Sequence, residues 1–347
     1  MTKNFLYAQI KNRQKFTKSL ANSLSCGKIL LLKRKFMRKI DLERRHGNIM
    51  KNSFDLSLIN KEAKDNLTEL IETSEYLYRS QVRHIVKELV EYKTRIVLLA
   101  GPSSAGKTTT SHLIRESLKA QGIDSFVVSL DDFFKNREDT PRLPDGKYDF
   151  ESINAIDLEY LNKFVDDLLD KREAKMPVFD FLTGRRKPEL VDVKLNDHTL
   201  VIFEGIHALN PTLIQNHDED IYKIYICINS NFFIGKQIII PAKRLRQMRR
   251  LIRDYYHRGH SLSKTFELWG NVVRGEDMFI KPFKTTANYI LDSTHMYEPL
   301  IYASYLAPLL KDMEEEEAKE LCLMLEKCGK LKKDVIPKDS LLNEFIE

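Results

Sequence analysis

The sequence predicts an α/β fold in which a parallel sheet of about five strands is flanked by helices. A glycine-rich segment at 101–108 lies between an apolar run at 95–100 and a stretch of helical spacing at 109–119. Further apolar runs with the length and composition of buried strands cover residues 124–130, 199–203, 221–228 and 287–291. Because the segments between these runs are long enough for crossover helices, the strands should pair in parallel and be covered on both faces.

The glycine-rich segment reads GPSSAGKT and matches GxxxxGK[ST], the pattern of P-loop NTPases. Its glycines allow a tight turn whose backbone N–H groups point at one anion, and the following helix adds its positive end to the same spot. Lys107 is expected to reach the outer phosphates of a nucleotide, and the Thr108 hydroxyl to bind magnesium. The alternative is a glycine turn without a ligand. We assign to phosphate binding Gly101, Ser103, Ser104, Ala105, Gly106, Lys107, Thr108 and Thr109.

The composition is that of a globular protein. Of the 347 residues, 42% are hydrophobic, which suffices for one large core with additions. No apolar run approaches the roughly 20 residues that cross a bilayer, so we expect a soluble, cytoplasmic protein. The cysteines lack CxxC spacing, which predicts a reducing compartment and no zinc site. They are Cys26, Cys227, Cys322 and Cys328.

Positive charge is concentrated at the start of the chain. Residues 1–50 contain 13 Lys or Arg against only Asp41 and Glu43, whereas the whole chain carries +6, so the remainder is mildly acidic. This extension could be solvated and partly disordered, could contact nucleic acid or anionic lipid, or could be an organellar transit peptide, because it is basic, acid-poor and contains serines. The sequence leaves these alternatives open.

The chain divides into four predicted parts. A basic extension at 1–50 precedes a helical lead-in at 51–94, a phosphate-binding domain at 95–312 and a polar helical tail at 313–347. The acidic run Glu314 to Glu317 predicts that the tail presents a solvated helical face. Further patterns inside the domain predict helices over 156–169 and 298–313 and a hairpin over about 177–196.

Carboxylates follow two of the predicted strands. Asp131 and Asp132 end the second apolar run and Glu204 ends the third, so all should lie at the sheet edge where open α/β sheets bind ligands. Asp131, whose strand we expect beside the phosphate loop, is the candidate to accept a proton from an attacking hydroxyl; a helix cap is the alternative. Asp132 would share the site or cap. Glu204 occupies the position at which P-loop enzymes hold magnesium. His207 lacks matching metal ligands nearby and is expected to be packed.

An arginine-rich segment, KRLRQMRRLIRDYYHRG, lies within residues 241–260. On a helix, Arg246, Arg249, Arg250 and Arg253 are three or four residues apart and would share one face. Such a face could be a solvated surface, a nucleic-acid stripe, or a lid that lays guanidinium groups across phosphates and excludes water. Beside a phosphate loop, we favour the lid.

The predicted hairpin carries aromatic and charged side chains that could hold a flat ring and a sugar. Phenylalanines in a hairpin are also common core residues, so the pattern alone leaves both readings open. The residues are Phe179, Asp180, Phe181, Arg185 and Arg186.

Taken together, the ordered motifs GPSSAGKTT, SLDDFF, YDFES, FDFLTGRR, VIFEGIHALNP, RRLIRDYYHRGHS and IKPF resemble the uridine kinase and phosphoribulokinase-like family of P-loop kinases. The resemblance covers about residues 88–312 and looks closest to bacterial uridine kinase-like nucleoside kinases, a branch often fused to a TGS-type domain. It implies ATP as donor, magnesium as cofactor and transfer of the terminal phosphate to a sugar hydroxyl, in pyrimidine salvage.

The resemblance also implies roles for individual residues. Asp131 matches the family's base, and Thr108 and Glu204 match its metal neighbourhood. Glu151 falls near an acid that binds ribose hydroxyls, with Asp149 equally reachable. The remaining matches are Arg250, Arg253 and Arg258 as lid arginines near phosphates and substrate, Phe179 and Phe181 as the aromatic pair of the nucleoside pocket, and Arg185 on its rim.

Two departures concern the acceptor. Authentic uridine/cytidine kinases carry a histidine where this chain has Gly184, and an arginine where it has His260. Both changes are shared by the TGS-fused branch, so they bear on base identity and not on fold. The roughly hundred residues before the phosphate loop are too few for that branch's complete N-terminal region.

These observations lead to three hypotheses. The first is an ATP-dependent kinase of a nucleoside 5′-hydroxyl, with uridine or cytidine as the favoured nucleoside. The second keeps the fold and changes the acceptor to another sugar or polyol. The third is a nucleotide-binding, RNA-associated regulator that works through residues 1–50. The expected partner is a small-molecule acceptor; a homo-oligomer is left open, and nucleic acid is expected only at the basic extension.

Overall fold

A computed structural model describes residues 53–214 and 221–346 of the chain. The basic extension at 1–50, with its three alternatives, lies outside these ranges. The strands are β1 (Ser53–Asp55), β2 (Ile96–Ala100), β3 (Ser125–Ser129), β4 (Glu173–Met176), β5 (Phe179–Asp180), β6 (Arg185–Arg186), β7 (Val191–Lys194), β8 (Leu200–Glu204), β9 (Ile221–Cys227), β10 (Asn231–Ile234), β11 (Gln237–Ile240) and β12 (Tyr289–Asp292). The helices are α1 (Leu56–Asp65), α2 (Leu67–Glu91), α3 (Lys107–Lys119), α4 (Leu158–Asp170), α5 (Ala242–Arg258), α6 (Leu262–Gly275), α7 (Glu298–Tyr305), α8 (Ala307–Leu310), α9 (Glu316–Leu325) and α10 (Asn343–Ile346).

A five-stranded sheet in the order β12-β9-β2-β8-β3 forms the centre of the molecule, and every pairing in it is parallel. This confirms the predicted sheet. Its strands are apolar on both faces because helices cover both. Val97 and Leu99 of β2 join a core with α2, α3, α5 and α7, whereas Ile96 and Leu98 join a second core with α4.

The strand order corrects one expectation about the site. We predicted that β3, which leads to Asp131, lies beside β2, which leads to the phosphate loop. Instead β8 pairs with both strands and separates them. Glu204 therefore ends the strand next to the loop, and Asp131 follows the strand beyond it. Since all these strands run in parallel, their carboxyl ends still meet at one sheet edge.

A hairpin stands beside the sheet edge, close to its predicted range. β4 pairs with β7 and β5 pairs with β6, both antiparallel, so the hairpin spans 173–194. Gly184 at its tip has φ 70°, a left-handed conformation that suits glycine. A Cβ there would also lie 2.6 Å from Nε of Arg137. The backbone conformation thus accounts for glycine at this position, since the arginine side chain could move aside.

The arginine-rich segment forms the long helix α5, which ends at Gly259 in a left-handed conformation with φ 64°. Leu245, Met248, Leu251 and Ile252 of this helix lie in the core. The expectation that four arginines share one face is wrong for Arg249. Its guanidinium is fully buried and pairs with Glu298 of α7 at 2.7 Å. The three-or-four spacing leaves enough angular spread for one arginine to point away from the rest.

The C-terminal region is not a solvated tail. Ala318, Leu321 and Leu325 of α9 are buried, and Leu341 and Phe345 lie fully buried in the larger core. Charge at the start of α9 suggested a polar face, but the apolar residues of the same helix cover the core. The predicted helix over 298–313 is also divided into α7 and α8 around Leu306, next to a proline in the first turn of α8.

The helical lead-in packs onto the same core. Tyr78, Val82 and Val86 of α2 are buried against it. The short strand β1 adds in parallel to β10, which pairs with β11, so a three-stranded side sheet precedes α5. No helix in 53–214 or 221–346 combines the length and apolar character needed to span a membrane.

Candidate active site

The phosphate loop, residues 101–108, joins β2 to α3. Gly101 lies so close to the neighbouring strand that a Cβ would overlap the carbonyl oxygen of Ile226. Gly106 precedes α3 with φ 91°, and Ser104 has φ 62°, which is uncommon for a residue with a side chain. The Ser104 hydroxyl is buried and has no hydrogen-bond partner in the described ranges. Strain of this kind is characteristic of loops that bind ligands.

Backbone N–H donors converge where α3 begins. The N–H groups in the first turn of a helix have no partner within that helix, and here they belong to Lys107, Thr108 and Thr109. The N–H of Ala105 donates to the carbonyl oxygen of Pro102 at 3.2 Å and closes the turn. The ammonium of Lys107 lies 3.4 Å from the same oxygen. The arrangement suits an anion that several N–H groups surround.

Two arginines of α5 hold the phosphate loop at Ser103. Arg246 donates to its carbonyl oxygen at 3.1 Å, and Arg250 donates to its hydroxyl at 2.9 Å. Arg246 also forms a buried ion pair with Glu276 and lies over the ring of Trp269, 4.8 Å from its centroid. These contacts make Arg246 a support of the loop, a role that sequence spacing did not distinguish from that of its neighbours.

Asp131 lies in the 3₁₀ turn Leu130–Phe133, directly after β3. Burial raises the pKa of its carboxyl group, and the charges of Lys107, Arg258 and Arg253 oppose that rise. The carboxylate is therefore within electrostatic reach of cations from the phosphate loop and from α5. A carboxylate that could accept a proton thus lies near the phosphate loop.

Asp132, the next residue, has different partners. Its Oδ1 accepts a hydrogen bond from the backbone N–H of Phe179 at 3.1 Å. Burial raises the pKa of this carboxyl group, while that hydrogen bond lowers it. Of the two roles left open for Asp132, the contact fits a cap that holds the start of β5.

Glu204 ends β8 and accepts hydrogen bonds from the hydroxyls of Thr108 at 3.4 Å and Ser129 at 3.3 Å. Burial and the charge of Asp131 raise its pKa to about 7, against the lowering effect of Lys107. A hydroxyl beside a buried carboxylate provides the oxygen ligands that magnesium prefers. The described residues include no cluster of three or more His, Cys, Asp or Glu side chains suited to a metal. The donor set therefore fits an ion that also takes phosphate oxygens as ligands.

Three arginines of α5 surround one buried carboxylate. Asp254 forms ion pairs with Arg250 at 3.3 Å, Arg253 at 2.9 Å and Arg258 at 3.5 Å. Burial and the charge of Arg253 lower the pKa of Arg258 to about 10. Arg253 and Arg258 also interact electrostatically with Asp131, so the positive charge of this cluster acts on that carboxylate.

The residues predicted to bind an acceptor lie in the hairpin and at 149–151. The Phe179 and Phe181 rings meet edge to face with centroids 5.1 Å apart, and Phe181 is 60% exposed. Glu151 lies near Lys107 and Arg250, and burial raises its pKa against their charges. Because burial is the larger effect, its carboxyl group lacks full compensation by cations.

Two other predicted acceptor residues lie further out. Asp149 pairs with Arg274 at 3.1 Å, so its carboxylate is already engaged. Arg185 forms an ion pair with Glu138 at 2.8 Å, and both side chains are exposed. Of the two acids that the sequence left open for an acceptor, Glu151 is the one close to the loop and to α5.

Glu344 was not anticipated near the site, whereas His207 is packed as the sequence predicted. Glu344, near the end of the chain, accepts hydrogen bonds from Thr109. His207 is fully buried, and burial lowers its pKa to about 4. Its ring faces the backbone of Glu151 and Ser152, although neither ring nitrogen has a hydrogen bond of ordinary geometry within the described ranges. No local pattern points to Glu344, because its partner is 235 residues away.

Comparison with known proteins gives a consistent relationship. Residues 96–297, more than half of the chain, match the model of the Phosphoribulokinase / Uridine kinase family. Uridine kinase of Bacillus subtilis is 27% identical over 197 residues, which covers 56% of this chain and 84% of that protein. Uridine kinase of Ligilactobacillus salivarius is 28% identical over 202 residues, 58% of this chain and 86% of that protein. A solved structure titled as a possible uridine kinase from Bacillus stearothermophilus covers 62% of this chain and 98% of its own, with 19% identity and a TM-score of 0.43.

Proposed function

Since the chain belongs to the Phosphoribulokinase / Uridine kinase family, we propose that it transfers the terminal phosphate of ATP to the 5′-hydroxyl of a nucleoside. Uridine and cytidine are the leading candidate acceptors. The observation that carries this proposal is the position of Asp131. Its carboxylate lies among Lys107 of the phosphate loop and Arg253 and Arg258 of α5. A phosphoryl transferase needs a proton acceptor and positive charge close together, and the electrostatic proximity of these groups supports the proposal.

The roles follow from the contacts. The N–H groups at the start of α3 and Lys107 bind the phosphate chain, and Arg250 reaches it from α5 because it already contacts Ser103. Asp131 accepts the proton of the acceptor hydroxyl, and its raised pKa makes it a stronger base. Arg253 and Arg258 compensate the charge that develops on the transferred group.

Thr108 and Glu204 would hold magnesium, because the hydroxyl and the buried carboxylate already adjoin each other. Magnesium held there would supply positive charge that offsets the charge of the phosphates. A positive charge there would also stabilise the ionised form of Glu204, which burial and Asp131 disfavour.

The acceptor pocket is proposed to lie between the hairpin and residues 149–151. Phe179 and Phe181 offer ring faces for a base, and Glu151 offers a carboxylate for ribose hydroxyls. Asp149 and Arg185 bind at the edge of this pocket only if their present ion pairs open. The tip at Gly184 has no side chain to contact a base. This favours keeping another sugar or polyol as the second candidate acceptor.

An acceptor screen tests the proposal. Purified full-length protein, ATP and magnesium are incubated with separate nucleosides, sugars and polyols, and ADP release is measured. Release with uridine or cytidine supports the proposal, whereas release only with a sugar or polyol replaces it by the second candidate. A Lys107→Met protein prepared in parallel excludes a contaminating kinase. If no acceptor gives ADP and the protein retains RNA in a salt-sensitive manner, the regulator hypothesis takes its place.

A further inference from the structure

The C-terminal segment, residues 340–346, places a carboxylate on the phosphate loop. Oε2 of Glu344 accepts a hydrogen bond from Oγ1 of Thr109 at 2.6 Å and from its backbone N–H at 3.3 Å. Thr109 follows the last residue of the loop and carries one of the N–H groups at the start of α3. The contact is made by a part of the chain that lies beyond the family match at 96–297.

The segment is held in place on both sides of Glu344. Leu341 lies against the loop so closely that a Cβ on Gly106 would be 2.5 Å from its Cδ1. Phe345 is fully buried and lies under the guanidinium of Arg249, 4.9 Å from the ring centroid. Ser340 donates to Glu75 of α2 at 2.6 Å. Glu344 is therefore presented by anchored backbone and is not a freely mobile side chain.

This contact conflicts with the use of the same donor by a nucleotide. The N–H groups in the first turn of a helix bind phosphate because nothing within the helix pairs with them. At Thr109 that donor is already taken by an anion of the chain itself. The negative charge of Glu344 also contributes to the raised pKa of Glu204, so it acts within the region proposed for magnesium and phosphate.

We propose that Glu344 is a built-in competitor of the nucleotide's phosphate chain, and that it sets nucleotide affinity by occupying Thr109 until a phosphate displaces it. The inference rests on the proposed function only in that ATP or ADP binds at the phosphate loop. It makes the C-terminal segment a restraint on the donor site, with no involvement of the acceptor.

Calorimetric titration of full-length protein with ADP and magnesium tests the competition. Glu344→Gln removes the charge and keeps an oxygen that can accept from Thr109, whereas Glu344→Ala removes the contact. We expect ADP to bind about fivefold tighter to Glu344→Gln, the effect of one charge at a helix N-terminus, and at least as tightly to Glu344→Ala. Glu316→Gln, an exposed charge change on α9, is the matched control and should leave ADP affinity unchanged. Raising the salt concentration should reduce the difference between wild type and Glu344→Gln.

Titration with separate parts of the nucleotide shows whether Glu344 affects binding of the phosphate chain or of the nucleoside. Inorganic tripolyphosphate should show the same tightening as ADP, whereas adenosine should bind equally to wild type and Glu344→Gln. Unchanged or weaker ADP binding in both Glu344 variants would overturn the inference and make Glu344 a structural cap of α3. Thermal unfolding shows whether each variant is folded, and Glu344→Asp, which keeps the charge and shortens the reach, gives a second comparison. Because the titration needs no acceptor, its failure is distinct from failure of the acceptor screen. Absence of ADP binding in every protein would overturn both.

Discussion

Two adjacent aspartates at this sheet edge have different surroundings. Asp131 is within electrostatic reach of Lys107, Arg253 and Arg258, whereas Asp132 accepts a backbone hydrogen bond from the hairpin. The two side chains are chemically identical, and only their interaction partners differ. The residue type therefore identifies a candidate site residue, and the groups near its side chain indicate which role it can have.

The pair offers an internal comparison for catalysis. Asp131→Asn removes the proton acceptor and should lower kcat by roughly 10²- to 10⁴-fold, with ADP affinity nearly unchanged. Asp132→Asn keeps an oxygen for the hairpin N–H and should affect the acceptor KM more than kcat. Steady-state kinetics with the acceptor found in the screen measure both. Full turnover by Asp131→Asn would remove Asp131 from the mechanism.

His207 predicts a pH dependence of stability. Burial lowers its pKa from 6.5 to about 4 in the folded protein, so the unfolded chain takes up the proton first as the pH falls. Stability attributable to this group is complete above about pH 6.5 and is lost as the pH falls toward 4, by about 3 kcal/mol in total. His207→Gln should lack this part of the pH profile in urea unfolding between pH 7.5 and 4.5. His112→Gln, at an exposed position, serves as control, and a wild-type slope in His207→Gln would contradict the assignment.

At the level of the element, α5 performs two tasks with similar side chains. Arg246 and Arg250 contact the phosphate loop, and Arg253 joins them in the site, while Arg249 is buried against Glu298 on another side. Tyr302 also donates to Glu298 at 3.0 Å. The helix that supplies the site arginines is thus tied to the core through one of its own arginines.

This division predicts that one substitution on α5 mainly lowers stability and that another mainly lowers kcat. Arg249→Met leaves Glu298 buried without its cation and should lower the free energy of unfolding by about 3–5 kcal/mol. Adding Glu298→Gln should recover much of that loss, since no uncompensated charge then remains. Arg253→Met leaves Arg250 and Arg258 beside Asp254, so it should lower kcat by about 10²-fold with a much smaller loss of stability. Urea unfolding and kinetics on the same preparations compare them, and equal destabilisation by both substitutions would refute the division.

For the whole molecule, the central sheet is enclosed by segments from both ends of the described chain. α2 precedes the phosphate loop, α9 and α10 follow the last strand, and all contribute to the larger core. Glu75 of α2, Tyr297 and Ser340 are joined by hydrogen bonds at 2.7 and 2.6 Å. We therefore propose that the folding unit extends beyond the predicted domain at 95–312.

A buried residue at the end of the chain tests this extension. Phe345→Ala should lower the free energy of unfolding by about 3–5 kcal/mol, because it opens a cavity in the larger core. Leu323→Ala on α9 is the control; this side chain is 61% exposed, and its loss should change stability by less than about 0.5 kcal/mol. A single cooperative transition in urea is expected for wild type. Similar effects of the two substitutions would indicate a C-terminal segment that contributes little to the fold.

Local patterns were sufficient for most elements of the central domain. The apolar runs near β2, β3, β8, β9 and β12 predicted all strands of the central sheet, because strands covered on both faces are apolar throughout. The glycines and Lys107 of the phosphate loop were equally predictable from the sequence, because a turn made by consecutive residues requires their spacing. The boundaries moved by a few residues, as for the hairpin that starts at Glu173.

Relations between distant segments were not predictable in the same way. The sequence of β8 does not predict that this strand inserts between β2 and β3. The sequence of α5 likewise does not predict that Arg249 pairs with Glu298. The acidic run Glu314 to Glu317 suggested a solvated tail, although apolar residues of 313–347 complete the core. The sequence by itself determined the strands, the phosphate loop and the acidic and basic candidates, because each depends on neighbours in the chain. Only the tertiary structure decided which candidates meet, and that Glu344 lies on Thr109, because contacts across the fold depend on how whole elements pack.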